Sequence, residues 1–279
     1  MGVIETARPR VQPHCCPIVI DGIGGLLAGP ANVIMQLALA PVGCGVVESK
    51  VERGQVTKHP LKRFRTTFTY ISVALLGTDA ERARYREAVN RSHRLVRSDA
   101  GSPVKYNAFD PQLQLWVAAC LYFGTVDFIE KLHGPMSEAQ ADALYAFAAR
   151  YGTTLQVPPD LWPPDRPAFA RYWDATVATL TIDDPVREYL LAVTTRESFP
   201  WLLRGSPRFN LWITSGFLPP RLREQMRLPW SEADQRRFER LLRRIGAVQR
   251  RLPRAVRQFP FNWFLLDLRL RIRLHRRLV

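Results

Sequence analysis

The sequence predicts an all-α protein that folds as a single helical domain of about ten helices. Three observations lead to this prediction. Apolar residues recur at helical spacing through most of the chain, and several such segments begin at a proline or a capping residue. Strand-like alternation occurs only at Leu268–Leu274, where it competes with a helix, and no internal repeat divides the chain.

Composition limits the function classes. The 279 residues carry a formal charge of +15, of which +12 comes from 17 arginines and 5 acidic residues between Arg221 and Val279. Such a surface suits anionic lipid, an acidic partner or nucleic acid, and it is equally compatible with an ordinary solvated surface. Nucleic acid is the least favoured partner, because no recognition motif accompanies the arginines.

The chain divides into three predicted parts. Residues 1–16 are a flexible N-terminal tail with no signal-peptide pattern, and residues 17–262 are the helical domain. Residues 263–279 are a basic amphipathic segment. Cys44 and Cys120 lie among apolar residues and are predicted to be buried thiols, which favours a reducing, cytoplasmic location.

Residues 17–47 contain one charged residue, Asp21, and could be mistaken for a membrane span. Six glycines and three prolines interrupt this stretch. It is therefore predicted to be a loop followed by a buried helix that begins at Gly29-Pro30 and runs to Pro41.

The next two predicted helices carry the candidate site. One begins at Pro60 and ends at Gly77, with Arg63 and Thr67 one turn apart beside its apolar stripe. Such a pair either lines a polar pocket or marks an ordinary amphipathic boundary. The other helix runs from Thr78 to Val96. Thr78 and Glu81 form a capping-box pattern at its start.

His93 is the polar member of the inward stripe Tyr85, Val89, His93 and Val96. A histidine in this position is either a hydrogen-bonded core residue or a ligand or catalytic group. The remaining helices are predicted from spacing and caps, in the segments Pro111–Leu132, Ser137–Tyr151, Ala168–Leu180, Pro185–Thr195 and Ser231–Arg250.

No nucleotide-binding glycine loop, zinc-protease motif, serine elbow or haem-attachment cysteine pair is present. The residues by themselves thus predict an all-α domain in which Arg63, Thr67 and His93 are candidates for lining a pocket.

Six local patterns, in this order, resemble one family, the latex-clearing rubber oxygenases together with the mycophenolic-acid-pathway oxygenase. They are Gly29-Pro30 with Gln36-Leu37-Ala38; Arg63 with Thr67; Phe68–Gly77; His93 with Val96; Tyr106–Pro111 followed by Trp116-Val117; and Leu218-Pro219, Arg223, Leu252-Pro253, Arg257 and Pro260. The resemblance covers residues 20–262.

The resemblance implies a helical domain with a globin-like core, haem b as cofactor, and oxidative cleavage of a hydrophobic, isoprenoid- or lipid-like substrate by O₂. It places the axial histidine at His93. It also implies distal roles for Arg63 and Thr67, a catalytic carboxylate at Glu48, and a haem contact at Arg97. A neutral imidazole that projects from a helix into an apolar slot is the chemistry that such a ligand needs.

The chain departs from the family at three points, one of which is Thr66, where the rubber oxygenases have a lysine directly before the distal threonine. Many relatives have histidine where this chain has Ala118, and many have His-Ser where it has Glu48-Ser49. These departures leave open a haem-free relative that binds lipid or a membrane surface. In that alternative Trp263–Leu266 and the arginines after them contact anionic lipid, or the same segment docks on the core as a helix.

Overall fold

The computed structural model describes residues 19–48 and 58–279, so the predicted tail 1–16, Cys15, Cys16 and Ser49 lie outside the described residues. Within them the protein is all-α, and the one β-type feature is an isolated bridge between Arg97 and Asn107. The helices are α1 Gly22–Leu37, α2 Ala40–Val47, α3 Pro60–Leu76, α4 Asp79–His93, α5 Pro111–His133, α6 Glu138–Ala148, α7 Arg150–Thr153, α8 Arg166–Thr179, α9 Asp184–Thr195, α10 Trp201–Arg204, α11 Pro207–Phe217, α12 Pro220–Gln225, α13 Glu232–Gln249, α14 Arg254–Arg257 and α15 Phe261–Arg273.

The helix starts follow the capping chemistry that the sequence predicts. Thr78 and Glu81 form a complete capping box on α4, and Ser137 and Ser231 head the same motif on α6 and α13. Asp110 accepts a hydrogen bond from the backbone N–H of Gln112, and Pro111 occupies the first turn of α5.

Helix α5 is the centre of the core. It packs against α1 on one side and α13 on another, and Trp116, Ala119 and Cys120 are buried along it. Trp116 stacks on Trp173 of α8 at 5.2 Å between ring centroids. Cys44 and Cys120 are both buried and free, as predicted.

Helix α5 is also long and apolar enough to cross a membrane by length and composition, although 61% of its most apolar window is buried inside the fold. Together α1 and α2 pass the same test, but a bend of 106° separates them. Core helices share this composition, because they too are apolar on all sides.

The predicted start of the first helix at Gly29-Pro30 is wrong, since α1 begins at Gly22 and Pro30 lies inside it. The reason is close packing. A Cβ on Gly22 would lie 1.8 Å from the carbonyl oxygen of Phe259, and one on Gly24 would lie 2.3 Å from the Phe128 ring. These glycines let α1 approach its neighbours rather than interrupting the helix.

The Leu-Arg alternation near the C-terminus, which left strand and helix open, forms a helix. Helix α15 packs along α3, and Leu265 and Leu268 are buried with Val73 and Tyr85 in a second apolar cluster. Burial of one helical face thus outweighs the local alternation of Leu and Arg. The predicted segment boundary at residues 262 and 263 falls within this helix.

Candidate active site

Helix α4 is held firmly along its length. The Tyr85 ring is 1% exposed, and its hydroxyl donates to the carbonyl of Thr66 at 2.8 Å. The Arg86 guanidinium donates to the carbonyls of Thr153 and Thr154 at 2.7 and 2.9 Å. The helix ends at His93, not at Val96 as predicted, so His93 lies in its last turn.

The His93 imidazole is largely shielded from water. Its Nδ1 atom is buried and has no hydrogen-bond partner. Burial lowers the pKa of His93 to about 4, and the positive charge of Arg63 lowers it in the same direction. The ring is therefore neutral at pH 7, with a nitrogen lone pair free for a ligand.

His93 lines a cavity of about 180 Å³ between α1, α2, α3, α5 and α7. Most of its wall is apolar, formed by Leu37, Pro41, Val42, Val46, Val117 and Leu155. Arg63 and Val96 lie on the wall with His93. The structure thus brings together two of the predicted site residues, Arg63 and His93.

Several uncharged polar side chains on this wall have partners. Gln36 donates to Asn32 Oδ1 at 2.6 Å, and Gln114 donates to the carbonyl of Ala108 at 2.7 Å. The Tyr70 hydroxyl donates to the carbonyl of Tyr151. Burial raises the pKa of Tyr70, so this hydroxyl stays protonated. His93 Nδ1 therefore stands apart as an unsatisfied group on this wall.

Two further predicted residues lie at a second, adjoining cavity. Glu48 and Arg97 line a pocket of about 370 Å³, which shares Gly45, Val96 and Tyr106 with the first. Glu48 Oε2 accepts hydrogen bonds from the Ser102 hydroxyl at 2.9 Å and the Tyr106 hydroxyl at 3.0 Å. Tyr106 thus stands between the two cavities.

Thr67 is half-buried on α3, one turn from Arg63, and is not among the residues that line either cavity. Ala118 is buried in the core at 1% exposure and is likewise not part of either wall, whereas its neighbour Val117 is. A histidine side chain at position 118 would therefore leave α5 on the side that faces the core, and not on the side that faces the cavity. Thr67 keeps its distal role as a prediction.

Sequence reasoning did not assign roles to Tyr70, Tyr106 or Tyr151, which shape the cavity. Tyr106 lies in the Tyr106–Pro111 pattern quoted above, and its neighbour Asn107 pairs with Arg97 in the isolated bridge. The ring of Tyr106 packs closely on Gly45, where a Cβ would lie 3.2 Å from it. The Tyr106–Pro111 pattern was therefore the one sequence signal that pointed to Tyr106.

Within residues 19–48 and 58–279, no three His, Cys, Asp or Glu side chains lie together as a bare metal ion would require. The fold and site together define a class: an all-helical protein with one neutral, unpartnered histidine on an apolar cavity.

Comparison with known proteins gives the family. Residues 17–247 match the profile described as "ER-bound oxygenase mpaB/B'/Rubber oxygenase, catalytic domain", so the chain belongs to this family and its domain is of the oxygenase catalytic type. This confirms the resemblance found in the sequence.

Two mycobacterial relatives are similar over most of the chain. They are "Uncharacterized protein Mb2261" of Mycobacterium bovis and "Uncharacterized protein Rv2237" of Mycobacterium tuberculosis. Each is 53% identical over 255 residues, which is 91% of this chain and 100% of the relative. No solved structure matches the chain.

Proposed function

We propose that this protein is a haem b-dependent oxygenase that acts on a hydrophobic, isoprenoid- or lipid-like substrate, with His93 as the axial ligand of the iron. One observation carries the proposal. His93 is a neutral imidazole with a buried, unpartnered nitrogen on the wall of an apolar cavity. The oxygenase family supplies the class of reaction.

The donor set fits haem better than a bare metal ion. A lone histidine is too few ligands for an ion, but a porphyrin supplies four nitrogens and needs one axial group from the protein. A low pKa also suits an axial ligand, because no proton competes for the nitrogen at pH 7.

Room for the cofactor would come from joining the two cavities. The first, at about 180 Å³, is smaller than the roughly 300–1,000 Å³ of typical ligand pockets. The second adds about 370 Å³ on the far side of Tyr106. Rotation of the Tyr106 ring away from Glu48 would open one into the other.

When bound, haem would supply the binding and activation of O₂. The remaining chemistry falls to side chains of this chain. Arg63, at the rim near His93, would pair with a propionate or orient oxygen, and Arg97 would offer a second cation. Glu48 would hold or accept a proton, and Thr67 would complete the distal side. The apolar wall would receive the substrate.

Haemin titration of the purified protein, followed by absorption in the Soret region, tests the proposal. The wild type should give a saturable Soret band, and His93→Ala should lose or strongly shift it. His59→Ala is the matched control, because His59 is exposed and is not among the residues lining either cavity. No band, or a band that His93→Ala leaves unchanged, would reject the ligand assignment.

One observation favours the second candidate function, haem-free binding to a membrane surface. On α15 the residues opposite the packed face are apolar and exposed: Trp263 by 58%, Leu266 by 48% and Leu270 by 47%. Arg269 and Arg273 flank this row. An apolar row beside arginines suits the boundary of an anionic bilayer.

Co-sedimentation with anionic vesicles tests this candidate. Leu266→Ser with Leu270→Ser removes exposed apolar area without touching the buried Leu265 and Leu268. Lower vesicle binding by this variant, together with no Soret band in the wild type, would support the haem-free candidate. Unchanged vesicle binding would eliminate α15 as the contact.

A further inference from the structure

A groove rich in arginine lies between α4 and the C-terminal segment. It encloses about 610 Å³. Five guanidinium side chains and one carboxylate side chain line it, those of Arg84, Arg91, Arg271, Arg276, Arg277 and Glu87, together with Val279. Glu87 and Arg91 follow Arg84 by 3 and 7 residues along α4, so the three side chains share one face of that helix. The groove wall is thus strongly cationic.

Within residues 19–48 and 58–279, most of these charges have no carboxylate side chain as an ion-pair partner. Arg271 pairs with Asp267 at 2.7 Å. In the described part of the chain, Arg84, Arg91, Arg276 and Arg277 form no ion pair with a carboxylate side chain. Cations gathered on one concave surface repel each other, and an anion in the groove would relieve that repulsion.

The C-terminal side of the groove is held in place before any ligand arrives. The chain turns back after α15, and the N–H of Arg276 donates to the carbonyl of Arg271 at 2.8 Å. The Arg65 guanidinium donates to the carbonyl of Leu278 at 3.1 Å, and the Leu278 side chain packs on the second apolar cluster. The guanidinium of Arg271 donates to the carbonyl of Arg277 at 3.2 Å. This fixed backbone lowers the entropy cost of binding.

We infer that this groove is a binding site for an anion that carries a diphosphate group. Guanidinium groups bind phosphate oxygens in a bidentate manner, and several converging arginines suit a multiply charged anion better than a single phosphate. The site is separate from the His93 cavity and does not depend on haem. The diphosphate could belong to a soluble molecule, or its phosphate chemistry could be offered by a lipid headgroup.

Calorimetric titration of the full-length protein with inorganic pyrophosphate tests the inference. Arg84→Gln with Arg91→Gln removes two groove cations that lie seven residues apart on one helix. The matched control is Arg237→Gln with Arg244→Gln, which removes two exposed arginines with the same spacing on α13. Both variants lose the same charge, so a diffuse electrostatic effect would weaken them equally. Circular dichroism checks that both remain folded.

The wild type should bind pyrophosphate more tightly than orthophosphate. The groove variant should bind about tenfold more weakly or worse, while the α13 control stays within about twofold of the wild type. Equal weakening in both variants would overturn the inference, and so would the failure of wild-type protein to bind either pyrophosphate or phosphate-headgroup vesicles.

A second arm separates the two sources of phosphate. The same proteins are sedimented with phosphatidic acid vesicles, alongside the Leu266→Ser/Leu270→Ser variant. A soluble ligand predicts that pyrophosphate binding alone depends on Arg84 and Arg91. A lipid headgroup predicts that vesicle binding depends on them too. Vesicle binding that depends on Leu266 and Leu270 but not on Arg84 and Arg91, without pyrophosphate binding, would reject the groove.

Discussion

Two histidines lie at the edge of the core and differ in their surroundings: one has a carboxylate partner and the other faces a cavity. His133, at the end of α5, has a carboxylate partner: its Nε2 is 2.6 Å from Oδ2 of the fully buried Asp21. Arg257 also binds Asp21, at 2.6 and 2.9 Å. His93, at the end of α4, faces a cavity beside the cation Arg63.

The difference separates a structural histidine from a candidate ligand. Asp21, Arg257 and the Nε2 atom of His133 tie the start of α1 to the end of α5 and to α14, whereas His133 Nδ1, like His93 Nδ1, is buried without a hydrogen-bond partner. The buried Nδ1 atom of His93 makes no hydrogen bond to another element of the fold. Such a group costs stability unless something else binds it.

The largest loss of stability is expected at Asp21, the buried partner of His133. Asp21→Ala should lower the free energy of unfolding by about 3–5 kcal/mol, because it leaves Arg257 and His133 without their buried counter-charge. Chemical denaturation measures this loss. Asp142→Ala, at an exposed pair with Arg166, should cost less than about 1 kcal/mol. A loss at Asp21 no larger than at Asp142 would refute the structural role.

The histidines themselves should respond in opposite directions. His133→Leu should lower the unfolding free energy by about 1–3 kcal/mol, because it removes a charge-assisted hydrogen bond to Asp21. His93→Leu, measured without added haem, should leave that free energy unchanged or raise it by up to about 1 kcal/mol, since an unsatisfied nitrogen is replaced by carbon. Equal losses would remove the distinction between them.

Because His93 is buried, acidification should lower the free energy of unfolding of the wild type. Its pKa is about 4 in the folded protein, below the usual value of 6.5, so the unfolded chain binds the proton more tightly. Stability from this group is therefore present above pH 6.5 and is lost as pH falls towards 4. Between pH 7 and pH 5, wild type should lose about 1–2 kcal/mol more unfolding free energy than His93→Leu. Parallel pH profiles of the two proteins would contradict the burial of His93.

The smallest loss of stability is expected at Tyr106, which stands between the two cavities. Tyr106→Phe keeps the ring on Gly45 but removes the hydrogen bond to Glu48, and it should lower the unfolding free energy by about 0.5–1.5 kcal/mol. The same change should make haemin binding tighter if Tyr106 has to leave Glu48 for the cofactor to enter. Weaker haemin binding by this variant would argue that Tyr106 does not move.

Much of the fold was predictable because its signals are local. Caps at Thr78, Asp110 and Ser231 and prolines in first turns placed most helix starts. Where prediction failed, distant contacts decided the outcome. Gly22 reads as a helix breaker until Phe259 lies against it, and the Leu-Arg alternation of α15 left strand and helix open, a choice that packing on α3 decides.

The candidate site was predictable only in part, for the same reason. Helical spacing placed His93 on the inward stripe of α4 and Arg63 beside the apolar stripe of α3. The buried set of Asp21, His133 and Arg257 joins residues 112 and 236 positions apart, and no periodic pattern reports such a pairing. The Glu48–Tyr106 hydrogen bond spans 58 residues and was missed likewise.

The most direct test of the account is chemical rescue at His93. His93→Gly removes the imidazole and leaves space for a free one. We expect His93→Gly to give little or no Soret band with haemin alone, and added imidazole to restore a band at the wild-type position. A full wild-type band from His93→Gly without imidazole would show that another residue holds the iron.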